Sequence, residues 1–143
     1  LVKPAEFAAA HKKVKKEVRD AIKAAARNIR VYHERQMPQM FTMTEVSPGI
    51  FAGEKISPIS SCGLYVPRGK GSFPSVMIML AVPAVVAGMD NDNLFAFSPP
   101  DAKGLADPAT LVAAAECGVE NVYKIGGVQA IGSDIRIISK VIN

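Results

Sequence analysis

Apolar positions recur between residues 5 and 32 at steps of three or four, at Phe7, Val14, Val18, Ile22, Ala25, Ile29 and Tyr32, with one longer step over His11. That is the period of one helix face and predicts a single long amphipathic helix near the amino-terminal end. From Met37 to Pro58 the pattern lapses. Met37-Pro38, Ser47-Pro48-Gly49 and Ser57-Pro58 read as turns, so the segment is a connection with room for one short hairpin. Regularity then returns. Cys62 to Val66 is a short apolar run ending at Pro67, and Pro74 to Gly88 is long enough for a helix, with proline in its first turn and glycine at its end. Pro83 lies inside that helix and predicts a kink or a restart, because proline has no backbone donor. Leu94 to Phe97 is a strand candidate closed by Ser98-Pro99-Pro100. Asp107 and Pro108 suit the cap and first position of another helix, which runs to Cys117 and stops at Gly118. Val119 to Ile125 is a third strand candidate closed by Gly126-Gly127, and Ile135 to Ile142 alternates weakly, as one more strand would.

Strands alternating with helices at these lengths imply parallel pairing through right-handed crossovers, and hence an α/β layered core. In such sheets ligands sit beyond the carboxyl ends of the strands. Three loops occupy that position: Pro67 to Phe73, Ser98 to Asp107, and Gly126 to Gln129. The chain divides into a helical segment, 1–36, and an α/β segment, 37–143, which together make one structural unit.

Composition agrees with a packed domain: 143 residues, 49% of them hydrophobic, with no tryptophan. The apolar runs are too short and too broken by Pro and Gly to cross a bilayer, and no secretory signal pattern opens the chain, so the expected location is cytoplasmic, without a membrane partner. The charge is uneven. Between His11 and Arg30 eight Lys or Arg face Glu17 and Asp20, a net of +6, and the whole chain carries +4, so the remainder is −2. A basic helix face can bind phosphate backbones or anionic lipid. This one has no interleaved aromatics to stack on bases and no Trp or Phe anchors, and it reads as a solvated face without a nucleic-acid partner.

Candidate chemistry is sparse. Cys62 and Cys117 lack the paired spacing of a structural zinc site and read as small buried thiols. His11 and His33 have no visible partners. Asp90, Asp92, Asp101 and Asp107 fall in predicted loops or caps and read as surface and capping residues. The loop "RGKGSFP" is the one feature suited to a ligand: Gly69 and Gly71 allow close backbone approach, Arg68 and Lys70 suit phosphate, and a helix begins just beyond. It fits neither the GxGxxG nor the GxxxxGK[ST] pattern, and on the residues alone a plain strand-to-helix turn accounts for it better than a ligand loop does.

The blocks "GLYVPRG", "PSVMIMLAVPAVVAG", "SPPD", "PATLVAAAECGV" and "YKIGGVQAIG" occur in an order that resembles the amino-terminal half of histidinol dehydrogenases. Upstream, "NIRVYHERQ" and the spacing of Gly49, Gly53 and Ser57-Pro58-Ile59 are similar to that family too. The resemblance implies a zinc-dependent homodimer that oxidises L-histidinol to L-histidine by two NAD-dependent hydride transfers. Its fold would be a partial Rossmann-like parallel sheet flanked by helices, preceded by the amphipathic helix. It also implies NAD contacts at Tyr65, the tyrosine of GLYVP, and at Gln129, the glutamine of GGxQA.

Two departures qualify that expectation. The family's PGG is PRG here, so Arg68 stands where glycine is expected. A GPGN motif, the zinc ligands and the catalytic glutamate and histidine of the family have no counterpart in this chain, so no catalytic or metal residue is assigned and the chain alone is expected to be inactive. Proton removal and hydroxyl polarisation have no groups to perform them. The expectation is a truncated member that needs a complementary chain carrying the missing half. The alternative is a non-catalytic nucleotide-binding or interaction remnant. Either version leaves a sheet edge and an apolar face uncovered, which predicts homo-oligomers.

Overall fold

The computed structural model of the chain describes residues 1–69 and 71–127. The predicted amino-terminal helix is in fact two, α1 (Pro4–Lys13) and α2 (Lys16–Glu34). Val14 and Lys15 between them are extended, and the Arg19 guanidinium reaches back to donate to the carbonyls of His11 and Val14. That side chain supplies donors for carbonyls that the last turn of a helix leaves unpaired. The break leaves the apolar face partly out of use. Val14, Ile22 and Ala26 are buried, but Val18 and Tyr32 are exposed.

A ribbon follows, β1 (Phe41–Ser47) antiparallel to β2 (Ile50–Lys55), which is the hairpin for which the sequence left room. Its glycines have separate reasons. Gly49 sits in the turn at φ 76°, and a Cβ on Gly53 would come within 2.4 Å of the Thr42 carbonyl oxygen. Register puts Phe41, Met43 and Phe51 on one face of the ribbon, and all three are more than half exposed.

The remaining elements alternate as predicted: β3 (Cys62–Tyr65), α3 (Pro74–Val86), β4 (Leu94–Phe97), α4 (Pro108–Glu116) and β5 (Asn121–Tyr123). They form a parallel sheet in the order β3-β4-β5. The helix α3 runs through Pro83 without restarting. The carbonyl that loses its donor there belongs to Met79, whose side chain is on the exposed side of the helix. The last strand predicted, Ile135 to Ile142, lies outside the described residues.

Alternation along the strands sends Leu64, Leu94, Ala96 and Val122 into one buried cluster with Met77, Ile78, Ala81 and Val82 of α3 and Leu111 to Ala114 of α4. The helices α3 and α4 pack against each other, α2 lies across both, and α1 lies on α4. Ala10, Ile22 and Ala26 complete the cluster, so the first two helices and the sheet share one core. The amide of Val2 donates to the Val122 carbonyl at 2.7 Å, and Lys124 pairs with Glu6 at 2.9 Å, which ties α1 to the edge strand β5.

Candidate cofactor-binding edge

The strands β3, β4 and β5 run parallel, so their carboxyl ends share one edge of the sheet. Each strand ends on an aromatic residue, and register aligns the three in a row: Tyr65 beside Phe97, and Phe97 beside Tyr123. Register partners in a parallel sheet point to the same face. This face is opposite the one that packs on α3 and α4. Phe97 is 1% exposed and stacks on Tyr123, with ring centroids 5.3 Å apart, whereas Tyr65 is half-buried. Tyr65, singled out from the sequence, therefore lies where a ligand of such a sheet would sit. Gln129, its expected companion, lies outside the described residues.

Phe97 and Tyr123 were missed as site residues in the sequence. The signal was available, since "GLY", "FAF" and "NVY" all close on an aromatic before a turn, but alignment across strands needs the register. Ser98, which opens one of the three loops named from the sequence, follows the row directly. It is 2% exposed, its amide donates to the Tyr123 carbonyl at 3.0 Å, and its Oγ has no partner among the described residues. A buried hydroxyl left in this way costs stability unless something else bonds to it.

Arg68 is turned onto the loop that leaves β4. Its Nη1 donates to the Leu105 carbonyl at 2.6 Å and its Nη2 lies 3.7 Å from the Asp101 carboxylate. The other oxygen of Asp101 accepts the amides of Lys103 and Leu105 at 2.9 and 2.8 Å. Those amides, chiefly that of Leu105, hold the Asp101 carboxyl below its ordinary range, with Arg68 adding to them. Ser72 makes a second link, donating to Asp107 at 2.6 Å, and Asp107 caps α4 as its sequence position predicts. A Cβ on Gly69 would meet nothing within 4 Å, so packing does not demand a glycine there.

A cleft of about 260 Å³ lies behind this clamp, lined by Glu6, Lys13, Arg68, Asp101, Pro108 and Leu111 among others. Two larger clefts lie elsewhere. One of about 430 Å³, at the opposite end of the sheet, is lined by Val2, Phe7 and Asn121. The other, of about 410 Å³, runs along α2, where Lys23, Arg27 and Arg30 mix with Asp20 and Glu116. Size therefore does not single out the carboxyl ends of the strands, where sheets of this topology meet their ligands. The basic face of α2 is partly folded into a cleft with carboxylates and is only partly a free solvated surface.

The thiols and imidazoles add no chemistry. Burial pushes the Cys117 thiol up to about 11, and Cys62 is half-buried with no disulfide partner. His11 is exposed on α1, and His33 lies edge-on to the Tyr32 ring. Among the described residues no three His, Cys, Asp or Glu side chains are grouped to hold a metal, and the described residues do not fit a zinc ion. No described helix is long and apolar enough to cross a membrane.

This geometry defines an α/β protein of the parallel-sheet class whose ligands meet the carboxyl ends of the strands. The sequence profile of the family described as histidinol dehydrogenase matches residues 1–133, and the chain belongs to that family. It is 50% identical over 143 residues to the histidinol dehydrogenase of Synechocystis, covering 98% of this chain and 32% of that protein. It is 52% identical over 132 residues to a histidinol dehydrogenase homolog of Rhizobium meliloti, covering 92% and 28%. The crystal structure of histidinol dehydrogenase from Elizabethkingia anophelis superposes with a TM-score of 0.86 at 36% identity, over 92% of this chain and 30% of that one. The chain thus spans about a third of the length of the relatives it matches.

Proposed function

We propose that this chain is the nucleotide-facing third of a histidinol dehydrogenase, which binds NAD at the carboxyl edge of its sheet and works in the cytoplasm. The observation that carries the reading is the position of Tyr65, half-buried at the end of β3 in a row with Phe97 and Tyr123. Its ring gives a bound nucleotide a flat apolar surface to lie on, and Gln129 supplies the amide that orients it. When bound, the nicotinamide would accept the hydride. The proton-accepting and hydroxyl-polarising groups would come from the rest of the family fold, which lies outside these 143 residues and which a complementary polypeptide can supply in an assay.

We also propose that the isolated chain self-associates through the ribbon β1–β2. A two-stranded ribbon is marginal by itself in water, and Phe41, Met43 and Phe51 leave an apolar face open. A monomer in sedimentation at high dilution would contradict this.

Calorimetric titration with NAD tests the binding claim. Heat is expected with the unaltered chain, with affinity reduced in Tyr65→Ala and in Gln129→Ala. Heat that persists unchanged in both variants would overturn the assignment. For the reaction, the complementary polypeptide is added with histidinol, and NADH formation is followed at its absorbance band. Formation is expected only with both polypeptides present, and its absence from a properly assembled pair would remove the catalytic part of the reading.

A further inference from the structure

The cofactor edge has two walls, the segment after β3 and the segment after β4, and side chains hold them together. Arg68 reaches across with its side chain only 19% exposed. Its target, the Leu105 carbonyl, also accepts the Asp101 amide at 2.9 Å, and the Gly104 amide donates to the Asp101 carbonyl at 2.9 Å. Residues 101 to 105 thus close on themselves, and the guanidinium is inserted at the point of closure. The partners explain the choice of arginine. A planar fork can address a carbonyl and a carboxylate together, whereas a lysine ammonium presents a single point charge.

The helix α1 faces this closed turn across a cleft, with Glu6 and Lys13 on one side and Asp101 and Leu105 on the other. Leu105 is 48% exposed and residues 102 to 104 are exposed, so the turn itself buries little apolar surface and its nearest apolar anchor is the buried Ala106 that follows it. The Ser98-Pro99-Pro100 backbone, which leads into the turn directly from the aromatic row, is held at its far end by Ala106 in the core, by Arg68 and by the Ser72 to Asp107 bond.

We propose that Arg68 is a positioning residue of the cofactor edge: it clamps the turn 101–105 against the β3 loop and so holds the wall at residues 98–100 in the geometry that NAD meets. This rests on the NAD reading above. Arg68 does not touch the nucleotide. It acts through the Leu105 carbonyl and the Asp101 carboxylate.

The test uses the full chain with Arg68→Gly and Arg68→Lys. Amide hydrogen exchange without NAD is measured first. Arg68→Gly is expected to speed exchange at Lys103 and Leu105 about tenfold, as loss of one charge-assisted hydrogen bond implies, and to leave α3 and α4 unchanged. Arg68→Lys is expected to restore part of the protection. Calorimetry with NAD follows, where Arg68→Gly is expected to weaken binding about tenfold and Arg68→Lys less. Unchanged exchange at Lys103 and Leu105 would overturn the clamp whatever NAD does. Faster exchange with unaltered NAD affinity, while Tyr65→Ala binds more weakly, would overturn the positioning role and leave the NAD reading standing. No heat from the unaltered chain would overturn the NAD reading, and with it the role for Arg68, while the exchange result would still decide whether the clamp exists.

Discussion

Asp107→Ala perturbs more than a helix cap, and its cost can be worked from the atoms involved. One carboxylate oxygen of Asp107 accepts the Thr110 amide at 2.8 Å, the Thr110 hydroxyl at 2.9 Å and the Ser72 hydroxyl at 2.6 Å. Losing an aspartate cap costs about 1 kcal/mol. Thr110 is 3% exposed, so its hydroxyl would be left buried without a partner, which costs about 1–3 kcal/mol more. Ser72 is exposed and can turn to water, so its loss adds little. The sum is about 2–4 kcal/mol. With a urea slope of about 1–3 kcal/mol per molar, the unfolding midpoint should fall by about 1 M or more. Asp107→Asn keeps an acceptor and should lose much less. Thr110→Val should be cheaper in the Asp107→Ala background than in the wild type, because the orphaned hydroxyl is gone. A loss under about 1 kcal/mol for Asp107→Ala, or the same cost for Thr110→Val in both backgrounds, would refute the accounting.

Three further outcomes are expected. The Lys124 ammonium, and then the Lys3 amide, hold the Glu6 carboxyl below its ordinary 4.5, so this pair's contribution is complete above that pH and is lost as pH falls through the lowered value. Glu6→Gln should remove that part of the acid sensitivity, and parallel unfolding midpoints for the two proteins across the acid range would contradict it. Cys117, with its thiol near 11, should resist a neutral-pH thiol reagent until the chain unfolds, and labelling of the native chain at the rate of Cys62 would contradict its burial. Ser98→Ala removes a buried hydroxyl with no partner among the described residues and should raise stability by about 1 kcal/mol in urea titration. A lower midpoint would mean that the hydroxyl is bonded after all.

The legible parts of the fold were those whose causes are local. Proline at the start of α3 and α4, Asp107 as a cap and short apolar runs between turns are all written in neighbouring residues, and each element appears within a residue or two of its predicted bounds. The break between α1 and α2 was not legible, because Val14-Lys15 contains neither proline nor glycine and the apolar steps on either side stay nearly in phase. What stabilises the break is Arg19, whose guanidinium reaches the carbonyls of His11 and Val14. That is a bond between side chain and backbone, and hydropathy patterning does not encode it. The ribbon's length was hidden for a related reason. Its apolar residues face outward, so the alternation reports no buried face.

At the candidate site the same division explains why the partners of Arg68 were not legible. Its neighbours in sequence, Gly69, Lys70 and Gly71, suggest a phosphate cradle, since cations and glycines are what such a cradle needs. Its neighbours in space are the Leu105 carbonyl and the Asp101 carboxylate, 37 and 33 positions further along the chain. A guanidinium that is already bonded to a carbonyl and close to a carboxylate has fewer donors left for a phosphate, and the composition of the loop does not disclose those partners. Tyr65 was legible as the end of a strand because that position depends only on local pattern. The row it forms with Phe97 and Tyr123 depends on strand register, which is set by the burial of Leu64, Ala96 and Val122 on the other face. The packing that hides those three residues is therefore what aligns the aromatic edge, and a core substitution such as Ala96→Leu should disturb that edge from the far side of the sheet.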